Sequence, residues 1–341
     1  MKQKIKKAFK YLIFFIIGIL IFWVLYKDQD IDRMKSILKN DVKYFWIWIS
    51  LLLGIVSHLS RAMRWRYLIE PLGHNPRLSN TFFAVMIGYL MNLVVPRMGE
   101  LSKCGVMARY EKISLARLIG TMITERIFDL IVLGLATFLM VITQMGQVAR
   151  LLHDNPEIEQ KILSLVKSPL ILGGGLLILI FVIITWKKIR KSRLFRRMES
   201  IASHFREGIM SFRYVRNKGA FIFHSLFIWT MYYLMLYVSF FAFDFTAELS
   251  PLAGLTTFVM ASFGMVAPVQ GGIGAWHFMT RESLALYGVP YENGIIFAFL
   301  AHGIMTLMII VLGLLSVIAL PFFNSSHAPL TNTETTGTLP E

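Results

Sequence analysis

The run "LIGTMITERIFDLIVLG" carries Glu125, Arg126 and Asp129 in the middle of an otherwise apolar stretch. Ionisable side chains at such depth are rare in membrane helices; they face a bundle interior or a water-filled cavity and pair. Arg126 and Asp129 stand three apart, close enough to pair along one helix. Glu125 and Asp129 lie four apart on one face, so Glu125 needs a cation from another element, and Arg61, Arg97 and Arg109 are the candidates. The chemistry on offer is an ion-pair network lining a path, with Glu125 or Asp129 able to carry a proton. The competing reading starts this helix lower and leaves the trio at the cytoplasmic interface.

A second cluster sits on a helix break. In "VVPRMGELSKCGVMAR", Pro96 removes a donor and clashes with the preceding turn, so the helix ends near Val95 with Arg97 and Glu100 on the turn. The segment after the break begins with spare N–H groups and partial positive charge, which suits an anion. Arg97 adds a full charge with bidentate geometry for phosphate. The blander alternative is an interfacial loop whose charges sit in water. A similar break follows far along the chain: "VAPVQGGIGAWHFMTR" aligns with the first without a gap, pairing Val94 with Val266, Pro96 with Pro268, Gly99 with Gly271 and Arg109 with Arg281. Gly271, Gly272 and Gly274 allow tight turns and close backbone approach beside Gln270. Two such breaks, if not a chance recurrence of membrane-helix composition, form an inverted pair whose turns meet near the midplane and enclose a phosphate-bearing headgroup.

The elements that must position these residues cross a bilayer. The 341 residues are 56% hydrophobic and only 16% charged, with several apolar runs close to the ~20 residues a crossing helix needs. The formal charge of +15 could point to nucleic acid, but the basic residues cluster at the ends of apolar runs, as the positive-inside rule expects. Apolar runs occupy about 11–26, 44–59, 78–95, 118–143, 169–186, 220–243, 252–267 and 294–320. Residues 1–10 hold five lysines and no small-residue cleavage site follows the first run, which favours an uncleaved span over a signal peptide. "KKIRKSRLFRR", seven cations in eleven residues, marks the cytoplasm. Eight full crossings place that cluster outside. Letting 78–108 and 252–286 enter, turn and leave on the same side gives about six full transmembrane helices plus two re-entrant broken-helix hairpins. The expected fold is therefore an all-α polytopic membrane protein with an inverted repeat, about 44–143 and 220–320, inside one integral membrane unit, 1–323, and a disordered tail, 324–341.

Other side chains carry weaker signals. Arg61, Arg64 and Arg66 follow the second run and read first as interfacial anchors, with a grip on lipid phosphate by Arg61 or Arg64 as the alternative. Eight scattered histidines and the single Cys104 show no metal-ligand spacing. His302 lies in the last run, bonding another helix or relaying a proton, and His277 caps the second turn. No Ser/His/Asp grouping, P-loop or dinucleotide fingerprint appears.

"RAMRWRYLI", "NLVVPRMGELSKCGVMARYEKISLARLIGTMITERIFDLIVL" and "PVQGGIGAWHFMTRESLALYGV" together resemble a flippase-like family related to the membrane region of lysylphosphatidylglycerol synthase, over roughly residues 10–322. Its pattern has a P-x-R-hydrophobic-G-E-like turn, an E-R-hydrophobic-x-D helix and a P-x-x-G-G-hydrophobic-G turn in this order. The positions that match are Arg97, Gly99, Glu100, Glu125, Arg126, Asp129, Pro268, Gly271, Gly272 and Gly274. The resemblance implies a translocator of a phosphate-bearing lipid (phospholipid, aminoacyl-phospholipid or polyprenyl-phosphate-linked precursor) in the bacterial cytoplasmic (inner) membrane, N-terminus inside. The chain stops about twenty residues after its last span, so the synthase's aminoacyltransferase activity is not expected; neither is a cofactor or metal. Substrate contacts are expected from Arg97, Gly99, Glu100, Arg126, Gln270, Gly271, Gly272 and Gly274, with Glu125, Asp129, Arg109 and Arg61 balancing charge or coupling to protons. The rival readings are a non-transporting partner of an envelope-lipid enzyme and an intramembrane lipid-modifying enzyme.

Overall fold

The structure is a computed structural model that describes residues 20–27, 29–95, 97–154, 211–267 and 269–324. Most of the first expected span, the one at 169–186, the basic cluster at 187–197, both break prolines and the tail from 325 lie outside the described residues.

Among the described residues every regular element is helical. After a helical stretch at 20–26 come α1 (Ile31–Asn40), α2 (Tyr44–Ile69), α3 (Leu78–Val94), α4 (Gly99–Tyr110) and α5 (Leu115–Asp154). Then follow α6 (Lys218–Phe240), α7 (Pro251–Val266), α8 (Ala275–Ala285) and α9 (Tyr291–Phe323), with a single turn of helix, Asp244–Ala247, between α6 and α7. Among the described residues four segments are long and apolar enough to cross a membrane: Tyr44–Leu72, Leu115–Gln144, Lys218–Phe240 and Tyr291–Phe323. Their outward faces keep large apolar side chains exposed, among them Trp48, Leu130, Phe138, Phe223 and Ile318, which in lipid is the favourable arrangement. This is a multi-pass membrane protein.

Local chemistry sets the boundaries. Asp30 accepts from the N–H groups of Asp32 and Arg33 and caps α1. Ser250 does the same for α7, whose first residue is proline, a residue that needs no partner there. The second run is longer than its hydropathy suggests: α2 continues ten residues past Leu59 because no glycine or proline interrupts it before Pro71. α2 and α6 pack side by side and tie their polar groups internally; the Ser50 hydroxyl donates to Met235 O at 2.8 Å.

α3 and α4 form a helical hairpin. Near its tip the backbones of Gly88 and Gly99 touch, and at its base the Arg77 N–H and the Asn80 amide donate to Glu111 Oε1 at 3.0 and 2.7 Å. α7 and α8 form another. Gly264 lies against Ala275 and Trp276, and farther down the Tyr287 hydroxyl donates to Thr256 at 2.7 Å. The first leg of each hairpin, 17 and 16 residues, is only about 25 Å long, shorter than the four spans. The tips meet. Leu93 packs on Gly271, and the Arg97 guanidinium donates to Val266 O, the last residue of α7, at 3.3 Å. α9 backs both tips: Gly313 receives Leu90, and His302 Nε2 donates to Gly271 O at 2.9 Å.

Among the described residues two large apolar clusters and a small third one, Leu25, Tyr26 and Ile295, build the interior. Phe240, Phe243, Phe258, Trp276 and Phe297 belong to one large cluster; Trp65, Leu68, Met86, Met107, Leu118 and Phe221 belong to the other.

Candidate functional site

The extension of α2 past Leu59 decides the site. It carries Arg61 and Arg64 into the interior, where their side chains are 5% and 0% exposed. Both face α5. Asp129 Oδ2 accepts from Arg61 at 3.0 Å, and its Oδ1 accepts from Arg64 at 2.8 Å and from the Trp229 indole at 3.3 Å. Arg126 closes on the same carboxylate at 3.1 Å from the next turn down its own helix. Glu125, fully buried, pairs with Arg64 at 3.3 Å and with Lys103 of α4. The Lys103 ammonium also sits 4.2 Å from the centre of the Trp65 ring, whose N–H donates to Thr121 at 2.9 Å. The network thus joins α2, α4 and α5, touching Trp229 of one apolar cluster and Trp65 of the other.

Beside it lies a cavity of about 30 Å³, lined by Arg61, Tyr89, Asn92, Gly99, Glu100, Lys103 and Arg126, with Val85 and Gly88 behind. A space of this size holds roughly two waters. Its electrostatics are lopsided. Arg61, Arg64, Lys103 and Arg126 face Glu125 and Asp129, and counting Glu100 still leaves one positive charge over. The Nε atoms of Arg61 and Arg126 are buried donors with no protein acceptor, and Glu100 Oε2 is a buried acceptor with no donor. Each unmade guanidinium hydrogen bond costs about 1–3 kcal/mol, which an acceptor group in the cavity would offset, whereas Glu100 Oε2 needs a donor; the surplus charge itself is that of Arg126, whose side chain is 42% exposed.

Comparison with known proteins places the chain in a family. The family model for the lysylphosphatidylglycerol synthase TM region matches residues 10–313. The chain belongs to this family. It is also similar to the UPF0104 membrane protein MJ1595 of Methanocaldococcus jannaschii, 26% identical over 132 residues that make up 38% of each protein. The chain thus aligns with well under half of that relative's length. No solved structure matches.

In this member of the lysylphosphatidylglycerol synthase TM region family, the residues singled out by sequence fall into three groups. Arg61, Gly99, Glu100 and Arg126 line the cavity, and Glu125 and Asp129 anchor the network beside it. Arg97 and Gly271 meet at the joined tips without lining the cavity, and Gln270, Gly272 and Gly274 stay within their own turn. Arg109 is exposed and stacks 5.7 Å from the Tyr110 ring, away from Glu125. Three readings are corrected. Arg61 and Arg64 are buried ion-pair partners rather than interfacial anchors, because the helix does not stop at Leu59. The partners of Glu125 are Arg64 and Lys103, not Arg61, Arg97 or Arg109. The first N–H of α4, expected to await a ligand, is capped within the hairpin, where Gly99 donates to Asn92 Oδ1 at 2.7 Å. Lys103, Tyr89 and Asn92 were missed by sequence reasoning, and Arg64 was named only as an anchor or a grip on lipid phosphate, not as a member of the network. Arg64 was findable: His58, Arg61 and Arg64 step by three along a run without breakers.

The tip itself is strained. Arg97 has φ 61°, a left-handed conformation that costs a residue with a Cβ about 1 kcal/mol relative to glycine. Both Arg97→Gly and Arg97→Ala remove the bond to Val266, but only glycine removes the strain. Arg97→Gly is expected to unfold in detergent with about 1 kcal/mol more stability than Arg97→Ala. Equal midpoints in thermal unfolding would contradict the left-handed tip.

Proposed function

We propose that this protein is a translocator, not an enzyme, that moves a phosphate-bearing lipid between the leaflets of the cytoplasmic membrane. The observation that carries this reading is the cation surplus around the cavity, with two buried guanidinium N–H donors lacking acceptors. A lipid phosphate supplies the missing charge and acceptors together, and Arg offers it paired N–H groups. Membership of a family named for the membrane region of a phospholipid synthase supports a lipid as its source. The two hairpins support the path. Both have legs too short for comfortable crossings, and they meet tip to tip, the arrangement expected if each enters from its own face and turns near the midplane. In this reading six helices cross fully, the hairpins are inverted repeats of one another and the N-terminus lies in the cytoplasm. A partner enzyme that makes or consumes the lipid would supply the gradient.

The test is leaflet exchange in liposomes. The wild-type chain is reconstituted with fluorescent phosphatidylglycerol, its lysyl derivative or a polyprenyl phosphate, and the labelled lipid in each leaflet is followed. Arg126→Ala is the informative variant. Its side chain is 42% exposed, and Asp129 keeps Arg61 and Arg64 when it is lost, so the fold survives. Exchange is expected to fall by about tenfold or more, the worth of one charge-assisted hydrogen bond. Wild type no faster than empty liposomes for all three lipids would end the proposal.

A further inference from the structure

A hydrogen-bonded chain leads out of the cavity to a buried imidazole. The Tyr89 hydroxyl, on the cavity wall, lies 2.9 Å from the Tyr232 hydroxyl, which lies 3.4 Å from His58 Nδ1. Three helices supply the three groups: α3, α6 and α2. His58 is only 4% exposed, and its ring packs 4.7 Å from that of Tyr89. None of the three pairs with Glu125 or Asp129; the network touches them only through Arg61, which lies over the Tyr232 ring.

The two network carboxylates are poorly placed to carry a proton. Glu125 is held between Arg64 and Lys103, and Asp129 among Arg61, Arg64 and Arg126, so protonating either would leave cations unpaired in a buried site. His58 has no such partner to lose. The charged and titratable groups facing it are Arg61 on its own helix, Tyr89 from α3 and Tyr232 from α6. Beyond Arg61 stand Asp129 and Arg126 of α5, and beyond Glu125 stands Lys103 of α4. Arg61 also lies 5.9 Å from the Tyr232 ring, so cation and imidazole share one tyrosine. A proton on His58 adds positive charge beside Arg61, which disfavours it in the empty site, and the negative charge of an anion in the cavity lowers that cost. The two binding events favour each other, and by linkage the coupling is reciprocal.

We propose that His58 is the proton-coupling site of this protein, taking up one proton when a phosphate-bearing headgroup enters the cavity. The inference rests on the headgroup reading above. In the transfer, the Tyr232 O–H bond breaks as an N–H bond forms at the Nδ1 lone pair of neutral His58. Tyr232 receives the proton of Tyr89, and Tyr89 is reprotonated by hydronium in the cavity water. Both tyrosines end neutral, and one proton has moved from the cavity to the imidazole.

The experiment is calorimetric titration of the full chain in detergent with dihexanoyl phosphatidylglycerol, a phosphodiester that stays singly charged between pH 5.5 and 8. Repeating it in buffers of different ionisation enthalpy counts the protons taken up per lipid bound. Wild type is expected to take up a measurable fraction of a proton, largest at the acid end of that range, with affinity rising as pH falls by less than about tenfold per pH unit. His58→Gln should bind with no uptake and a flat pH profile. Tyr232→Phe should keep the equilibrium uptake but slow exchange in liposomes, because only the route is cut. Binding by wild type without proton uptake, or full uptake in a folded His58→Gln, overturns this inference alone. No binding by wild type overturns the headgroup reading and this inference with it.

Discussion

Asp129→Ala is expected to cost about 3–5 kcal/mol of stability, the largest loss of any single substitution in the network. Asp129 is the hub: Arg61, Arg64, Arg126 and Trp229 all donate to it or pair with it. Its removal leaves Arg61 and Arg64, 5% and 0% exposed, with no carboxylate except Glu125, which already serves Lys103. The loss comes from stranded cations more than from attraction forgone, since a whole ion-pair cluster replaced by apolar groups of the same shape is often neutral. Asp129→Asn keeps the shape and one acceptor, so its cost should be smaller, about 1–3 kcal/mol. Arg126→Ala, by contrast, removes a half-exposed partner and should be mild. Thermal unfolding of the three variants in one detergent gives the order directly. An Asp129→Ala protein as stable as Arg126→Ala would mean that Arg61 and Arg64 do not converge on Asp129.

The elements of the fold were more legible than its contacts. Runs expected at 78–95 and 252–267 appear as Leu78–Val94 and Pro251–Val266, because proline ends each helix by simple sterics, whatever surrounds it. Arg126 and Asp129 pair as their spacing allows, since that geometry is internal to one helix. Partners across helices were another matter. Glu125 chose Lys103 over three arginines, and nothing in Lys103's neighbourhood in the chain announces this. It reaches Glu125 only because α4 folds back on α3 and turns that face toward α5. Hydropathy also misled at the end of α2: averaging over a window counts Arg61, Arg64 and Arg66 as the end of a span, whereas a helix stops only where backbone geometry or a cap stops it. The relay from Tyr89 through Tyr232 to His58 draws on three separate helices and has no sequence signature.

Gly99→Ala is expected to open the first hairpin, at a cost of about 3 kcal/mol or more. A methyl at Gly99 would lie 2.1 Å from the Gly88 carbonyl oxygen and 2.6 Å from the Asn92 side chain, closer than real Cβ atoms come to anything. Asn92 can swing away, but doing so gives up its 2.7 Å bond from the Gly99 N–H. The Gly88 oxygen belongs to the backbone of α3 and yields only if α3 and α4 separate. Separation has a functional consequence, because Gly88, Gly99, Glu100 and Lys103 all line the cavity and Lys103 must reach Glu125 from α4. Stability and lipid exchange should therefore fall together. Gly105, six residues on in the same helix, provides the contrast. Nothing lies within 4 Å of a Cβ built there, so Gly105→Ala should be neutral or stabilising by up to about 1 kcal/mol through helix propensity alone. Identical chemical changes in one helix are thus predicted to have opposite signs. If both variants unfold at the wild-type midpoint and exchange lipid at the wild-type rate, the close approach of α3 and α4 is not what shapes the cavity.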